Sequence, residues 1–440
     1  MVQTYRLPNR TAAASGAVAA SLIAISSIDG FLKNTHGNFI FFILKDVALW
    51  SILIAMMIGL ALRPWERPTG RWQMLSMWLV YVGYLFMQIF NPALGLSANI
   101  AGFRVQGIFA LLFFVGAVYF TSPRRLTKTI DVALFWMFVA AFAGFIESVM
   151  PDAWNAFSPG LAAATHKYTE WSSAGWGLVN AFSRAYGTLV DPAALGLACV
   201  AGFLFAAGAL ARSRHIWRFW NALLMVLFAV VMQFTGSRLS LAGLGGGLLA
   251  FVLFAWPYKS MRLPAVVSLV LLLIAAPLAV NAVSGGGGGT TSRLGDESIS
   301  YAAMTRARSR GIVLASTLRN PFGMGLGATG AGGRQNKTSD QRVVAVDNVY
   351  FAVLYQTGVP GLIIFLAFQL TLLVTTLRCA KEAKSIETRS SYVSIAAVQV
   401  ALLTAGFWTQ GVFAYAPVAQ LFWLFSGTTA FPKRVEGVKA

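Results

Sequence analysis

Arginine side chains and two carboxylates stand at the ends of apolar segments, where charge is costly. Arg184 and Asp191 occur in SRAYGTLVDPAALG, Arg238 in FTGSRLSLAG, and Asp347 in VVAVDNVYFAVLYQTG. An arginine at bilayer depth is expensive unless it reaches the surface or serves a function. Guanidinium groups bind phosphate oxygens through paired N–H donors, and a carboxylate accepts a proton from a hydroxyl. The residues therefore predict a site for an anionic ligand with a base beside it.

A long basic connection, at about 284–346, offers more guanidinium groups. Its eight basic residues face only three acidic ones, Asp296, Glu297 and Asp340. The basic residues are Arg293, Arg306, Arg308, Arg310, Arg319, Arg334, Lys337 and Arg342. The excess of arginine over lysine favours phosphate recognition. The alternative is an ordinary solvated loop, because long loops are translocated to the outer face regardless of their charge. The sequence predicts a glycine tether first, then a helix at about 298–318, then a turn-rich segment at 320–333.

The elements that position these residues are membrane helices. Of the 440 residues, 57% are hydrophobic and 11% are charged, whereas a soluble protein has about 25% charged residues. Apolar runs long enough to cross a bilayer recur along the chain, so we predict one all-α polytopic membrane domain over 1–440 with about twelve transmembrane helices. The predicted spans are 12–31, 38–62, 72–90, 104–121, 130–150, 187–211, 217–235, 239–257, 263–283, 346–377, 391–410 and 411–430.

Basic residues in the short connections predict the orientation of the chain. In the twelve-span arrangement they fall on one side, which must be the cytoplasm, together with both termini. They are Arg6, Arg10, Arg63, Arg67, Arg71, Arg124, Arg125, Lys128, Arg212, Arg214, Arg218, Lys259, Arg262, Arg378, Lys381, Lys384, Arg389, Lys433, Arg434 and Lys439. The 284–346 loop, Arg184, Arg238 and Asp347 then lie on the face opposite the cytoplasm.

Four motifs occur in a fixed order along the chain. Arg-x-x-Gly-Thr with Asp-Pro begins at Arg184, Ser-Arg ends at Arg238, an arginine at Arg306 precedes Asn-Pro-x-Gly-x-Gly-x-Gly, and Asp-Asn-x-Tyr at Asp347 precedes Thr-Gly-x-x-Gly. This combination resembles the O-antigen ligase and polysaccharide polymerase superfamily, integral membrane glycosyltransferases of bacterial cell envelopes. The resemblance implies a GT-C-like helical fold in the bacterial inner membrane, with the active site on the periplasmic face.

The resemblance also implies roles for particular residues. Arg238 corresponds to the Ser-Arg arginine and Arg306 to the loop arginine, and both would hold the diphosphate of an undecaprenyl-diphosphate-linked oligosaccharide. Arg184 is a third candidate for that role, and Asp191 and Arg310 are candidate substrate-binding residues. The implied reaction needs no metal or other cofactor. The expected partners are the lipid-linked glycan, the bilayer and, as an open alternative, a chain-length regulator, with no nucleic acid.

Asp347 departs from the family pattern, because ligases of this family usually have His-Asn where this chain has Asp347-Asn348. A carboxylate can act as the base, so the departure favours a polymerase of O-antigen, capsule or exopolysaccharide over a ligase that transfers glycan to lipid A-core. Asn348 is expected to cap the following helix or to orient a sugar, and Tyr350 to offer a sugar a stacking face or a hydroxyl. Two alternatives stay open: Asp347 as the N-cap of the following helix, and an anion or glycolipid transporter in place of an enzyme.

Overall fold

The computed structural model describes residues 72–120, 122–157, 185–189, 191–213, 215–284, 296–329, 346–413 and 417–430. Each element in these ranges is an α-helix or a short 3-10 helix. The α-helices are α1 (Trp72–Met87), α2 (Leu96–Tyr119), α3 (Pro123–Val149), α4 (Pro151–Phe157), α5 (Pro192–Arg212), α6 (His215–Phe234), α7 (Arg238–Ala255), α8 (Lys259–Ser284), α9 (Asp296–Arg319), α10 (Val349–Glu382), α11 (Ile386–Ala405) and α12 (Val418–Ser426).

Six helices in the described ranges are long and apolar enough to cross a membrane. These six are α1, α2, α3, α5, α6 and α10. Helix α7 is also apolar but is shorter. The predicted all-α polytopic class is therefore confirmed. The predicted spans 12–31 and 38–62 lie outside the described residues, so the total of about twelve remains a prediction.

The last predicted span, 411–430, is not one continuous helix in the part of the chain that the structure describes. It contains the nine-residue α12 and 3-10 turns at Gly411–Phe413 and Gly427–Thr429. Nine helical residues extend only about 14 Å, less than a bilayer core of roughly 30 Å. Pro417 and Gly427 stand at the ends of α12, and these residue types interrupt the helix that apolar composition alone predicted.

Helix α5 forms the centre of the bundle. Nearly all of its residues from Pro192 to Ala211 are buried, and it packs against α3, α6, α7 and α11. Alanine and glycine make up much of α5. Small residues allow close packing of neighbouring helices inside a membrane, where the hydrophobic effect does not drive helices together. This rigid centre fixes the ends of the helices that carry the candidate site residues.

Contacts between the segments that connect the helices place the helix ends in two groups, here called the basic end and the polar end. The basic end contains the ends of helices near 120–125, 212–218, 256–262 and 378–389, where the Arg389 guanidinium lies 4.7 Å from the Tyr258 ring centroid. The polar end contains the residues near 88–99, 147–157, 185–191, 234–238, 320–329, 346–358 and 405–413. There, backbone N–H groups of Ala185 and Val349 donate to the carbonyls of Phe234 and Gly406. All candidate site residues with described positions belong to the polar end.

Candidate active site at the polar end

Asn348 caps α10 and separates its neighbour Asp347 from the helix. The Asn348 Oδ1 accepts hydrogen bonds from the backbone N–H groups of Tyr350 (2.8 Å) and Phe351 (3.1 Å). Its Nδ2 donates to the Phe407 carbonyl at 3.1 Å. Asp347 itself is exposed. The alternative interpretation of Asp347 as the N-cap is therefore wrong, because Asn348 fills that role and leaves the Asp347 carboxylate directed to the surroundings.

Tyr350 joins α10 to α11 rather than standing free. Its hydroxyl donates to the Leu403 carbonyl at 2.7 Å, and its ring centroid lies 4.7 Å from that of Phe407. Next to it, the Val349 N–H donates to the Gly406 carbonyl at 2.8 Å. The Tyr350 hydroxyl, expected to bind substrate, is thus occupied within the protein, and only part of its half-buried ring could touch a sugar.

Arg238 is the first residue of α7, and the register of α7 on α11 fixes where that helix begins. Gly243 lies against Ala401 and Ala405, and Gly247 lies against Ala397 and Ala401. The two helices are therefore antiparallel, and the first turn of α7 is level with the residues that follow Ala405. The Asn348 side chain donates a hydrogen bond to Phe407, one of these residues after Ala405. The start of α7 and the start of α10 therefore meet at one place.

Helix α9 carries Arg306 and Arg310 along the first half of α10. Val313 is fully buried in a small cluster with Val346, Ala352 and Tyr355. One turn earlier, the Arg310 guanidinium lies 5.7 Å from the Phe351 ring centroid. The two helices run in the same direction, so Arg306, a further turn before Arg310, is level with the turn that contains Asp347. The predicted helix over 298–318 is confirmed as α9, Asp296–Arg319.

A break in α10 lies below this site. Gly358 has φ 71° and ψ −172°, a conformation that residues with a Cβ rarely adopt, and Pro360 lacks a backbone N–H. Three carbonyls lose their usual helical partners as a result. Those of Tyr355, Gln356 and Thr357 accept instead from the Met324 N–H (2.8 Å), the Gly325 N–H (2.9 Å) and the Tyr84 hydroxyl (2.7 Å).

The segment Asn320–Thr329, here called the glycine segment, is held beside the break by neutral amides. Gln88 donates to the Phe322 carbonyl at 3.1 Å, and Asn91 donates to the Gly323 carbonyl at 3.1 Å. The Gln356 side chain hydrogen-bonds both Gln106 and Thr329. Because irregular backbone near a bilayer must find its partners within the protein, this cluster fixes the position at which α9 ends.

The lipid-facing stripe of α10 begins only after the break. Its exposed apolar residues are Val359, Ile363, Leu366, Leu370 and Val374. The distance from the first of these to the basic end of α10 is roughly 30 Å, since about twenty residues rise 1.5 Å each, and this equals the thickness of a hydrocarbon core. The predicted span began at 346, whereas the structure indicates that the first turns of α10 project beyond the hydrocarbon.

A second carboxylate, which the sequence did not assign to the site, shapes the turn after Arg184. Glu147 is 7% exposed, and its Oε2 accepts from the backbone N–H groups of Tyr186 and Gly187, both at 2.7 Å. Arg184 lies outside the described residues. Asp191, a predicted binding residue, caps α5 by accepting from the Ala193 N–H at 2.6 Å. A carboxylate near the end of the long apolar stretch of α3 was the available signal for Glu147.

The long apolar helices and their buried polar contacts define the chain as a multi-pass, all-α membrane protein. A family model described as O-antigen ligase matches residues 223–366, which include Arg238, Arg306 and Asp347 but neither Arg184 nor Asp191. That match confirms the predicted resemblance to the O-antigen ligase and polysaccharide polymerase superfamily, whose members are glycosyltransferase-like enzymes. No curated protein matches the sequence. No group of His, Cys, Asp or Glu within the described ranges could hold a metal ion.

Proposed function

We propose that this protein is a membrane glycosyltransferase that polymerises repeat units carried on undecaprenyl diphosphate. The reaction takes place at the polar end, which faces the periplasm of a bacterial inner membrane. The observation that carries the proposal is the meeting of three stretches distant in sequence: the start of α7, the Arg310 region of α9 and the turn before α10. Each brings one residue of the matched family region, Arg238, Arg306 or Asp347, to the same end of the bundle.

The proposed chemistry transfers a glycan from the diphosphate to a sugar hydroxyl. Asp347 accepts the proton of the attacking hydroxyl, whose oxygen forms the new bond to the anomeric carbon. The bond from that carbon to the diphosphate breaks, and the lipid diphosphate leaves with the electron pair. Arg238 and Arg306 stabilise its negative charge, which is where an enzyme gains most from fixed positive groups. No metal or other cofactor takes part.

Other candidate residues have supporting roles in this scheme. Arg310, exposed beside Phe351, and Arg184 contact the donor phosphates or the glycan. Asn348 holds Asp347 in place through the α10 cap and the Phe407 carbonyl. The family resemblance suggests a polymerase rather than a ligase, because the position before Asn348 is an aspartate and not the histidine usual in ligases.

A transporter is the second candidate, and the break in α10 is the observation that favours it, since transporters often bind solutes at broken helices. Against it, the freed carbonyls at Gly358 are occupied by the glycine segment and Tyr84. The groups that hydrogen-bond at the break are neutral amides and hydroxyls, whereas the exposed Arg310 guanidinium lies nearer the start of α10, beside Phe351. This arrangement suits chemistry at an interface better than passage of an anion.

The first test is the glycan made by cells that carry single variants. Arg238→Ala, Arg306→Ala and Asp347→Ala are each expected to abolish long-chain glycan while the protein remains inserted and abundant. Arg378→Ala, an exposed arginine at the basic end, is the matched control and should give the wild-type ladder. Normal ladders in all three polar-end variants would contradict the proposed site.

A second test separates the alternatives by the product that accumulates. In a deletion strain, a single repeat unit on its final acceptor indicates a lost polymerase, whereas long polymer left on the lipid carrier indicates a lost ligase. Purified protein reconstituted with lipid-linked repeats then distinguishes either enzyme from a transporter, because only an enzyme lengthens the glycan.

A further inference from the structure

An apolar groove opens at the basic end, far from the proposed active site. It has a volume of about 280 Å³ and lies between the end of α5 and the first turns of α6 and α8. Its apolar lining includes Leu210, Ala222 and Val267, and Arg218 is its one charged lining residue. Two further lining residues, Phe219 and Leu263, are 66% and 64% exposed. Because large apolar side chains on membrane-crossing helices face lipid, the groove opens sideways into the bilayer.

The rim of the groove is positively charged. Besides Arg218, the exposed side chains of Lys259 and Arg262 lie in the first turn of α8. The Arg218 Nε donates to the Ser213 carbonyl at 2.9 Å, which anchors the side chain and leaves both terminal nitrogens of its fork available. The nearby acidic residue Asp131 pairs with Arg212. The sequence has no acidic residue between Asp191 and Asp296, so no carboxylate from α6, α7 or α8 opposes this charge.

Tryptophan side chains mark this level as the edge of the bilayer. Trp217, Trp220 and Trp256 are 63%, 51% and 52% exposed, and tryptophan concentrates at membrane–water interfaces. The groove therefore combines an apolar slot that opens to lipid with a cationic rim at headgroup height. Basic pockets between helices on the cytoplasmic side of a membrane bind anionic lipid headgroups.

We propose that this groove is a binding site for an anionic phospholipid of the cytoplasmic leaflet. One acyl chain lies along Leu210, Ala222 and Val267, and the phosphate contacts the Arg218 fork with Lys259 beside it. This site is separate from the one proposed for the lipid-linked glycan, which lies at the opposite end of the bundle.

Native mass spectrometry of the full-length protein tests the site directly. Purified protein is incubated with dioleoylphosphatidylglycerol or dioleoylphosphatidylcholine, and the retained lipid is counted. The wild type is expected to retain phosphatidylglycerol in preference, and Arg218→Gln to weaken that retention about five-fold, the effect of roughly one basic residue near an anionic surface. Ala222→Phe, which fills the groove without changing charge, should also reduce retention.

Arg378→Gln is the matched control, since it removes an exposed arginine from the same end of the bundle but away from the groove. It should retain phosphatidylglycerol as the wild type does. Three results would overturn the proposal: equal retention of the two lipids, an equal loss in Arg378→Gln, or wild-type retention in Ala222→Phe. Displacement of the lipid by millimolar inorganic phosphate would also overturn it, because the ligand would then be a soluble anion.

Discussion

The two ends of the helix bundle use arginine in different ways. At the basic end, several arginines bind groups of the protein itself. Arg125 donates to the Tyr119 carbonyl, Arg262 to the Trp256 carbonyl, Arg389 to the Ala383 carbonyl, and Arg212 pairs with Asp131. At the polar end, Arg308, Arg310 and Arg319 are exposed on α9, and none forms an ion pair with a described carboxylate.

This difference lies in which groups satisfy the backbone at each end. The irregular backbone beside the break in α10 is satisfied by neutral partners, namely the amides of Gln88 and Asn91, the Tyr84 hydroxyl and the glycine segment. Guanidinium groups are not needed for that purpose, and in the proposed function they bind the diphosphate of the donor. The polar end should consequently depend on a few backbone contacts, while the basic end should tolerate the loss of any one arginine.

The largest effect is expected at the break in α10. A Cβ at Gly358 would overlap the Pro321 carbonyl oxygen and the Phe322 backbone, and the positive φ adds strain. Gly358→Ala should lower the free energy of unfolding by about 3 kcal/mol, from the combined strain and overpacking. Thermal unfolding of the detergent-purified protein measures this.

Gly245→Ala in α7 is the control for that substitution, because nothing lies within 4 Å of the added methyl group. It should leave the melting temperature unchanged or slightly raised, since alanine favours a helix. Equal melting temperatures for the two variants would show that the glycine segment does not pack on the break as described.

The next largest effect is expected at Glu147. Glu147→Ala leaves the N–H groups of Tyr186 and Gly187 without their shared acceptor, at a cost of about 2–3 kcal/mol of stability. Both hydrogen bonds are accepted by the same carboxylate oxygen, so the side-chain amide oxygen in Glu147→Gln can accept both. The glutamine variant should therefore regain most of the stability that the alanine variant loses. If the glutamine variant were as unstable as the alanine variant, the charge of Glu147 rather than its geometry would be the important property.

A smaller effect is expected at the α10 cap. Asn348→Ala should cost about 1 kcal/mol, the usual value of an N-cap, and reduce glycan elongation because the Asp347 turn loses its anchor to Phe407. Asn348→Asp keeps the cap acceptor and loses only the donor, so its melting temperature should lie between those of the wild type and Asn348→Ala. If Asn348→Ala elongated glycan at the wild-type rate, the cap would not be needed for the proposed chemistry.

The smallest effect on elongation is expected at the basic end. Arg389→Gln removes one carbonyl hydrogen bond and the contact with the Tyr258 ring, which together contribute about 1 kcal/mol. Elongation should stay at the wild-type rate, as measured with reconstituted protein. A loss of elongation comparable to that of the polar-end variants would remove the distinction between the two ends.

The sequence predicted the features that depend on local pattern. Apolar runs located the long helices in the described ranges to within about eight residues at each end, but they did not show that 411–430 is broken. The helix in the basic loop was found at almost its predicted position, Asp296–Arg319. The order of motifs nominated Arg238, Arg306 and Asp347. Glycine and proline at positions 358 and 360 also signalled a break in α10, although the prediction treated 346–377 as continuous.

The remaining features depend on contacts between distant parts of the chain. Met324 donates to the Tyr355 carbonyl, and Glu147 accepts from Tyr186, pairings that no local pattern specifies. The choice of Asn348 over Asp347 as the cap also follows from tertiary structure, because the Asn348 amide can donate to Phe407 while its oxygen caps the helix. A carboxylate could not have made both bonds.

The central claim, that exposed Asp347 serves as the base beside Arg238 and Arg306, is tested most directly by elongation of lipid-linked repeats with reconstituted protein. Asp347→Asn keeps the shape of the side chain and removes its basicity. Its elongation rate should fall at least about 100-fold, the usual contribution of a general base, while Asp152→Asn, an exposed aspartate of α4 at the same end, keeps the wild-type rate. An Asp347→Asn protein that elongates glycan as fast as the wild type would contradict the account.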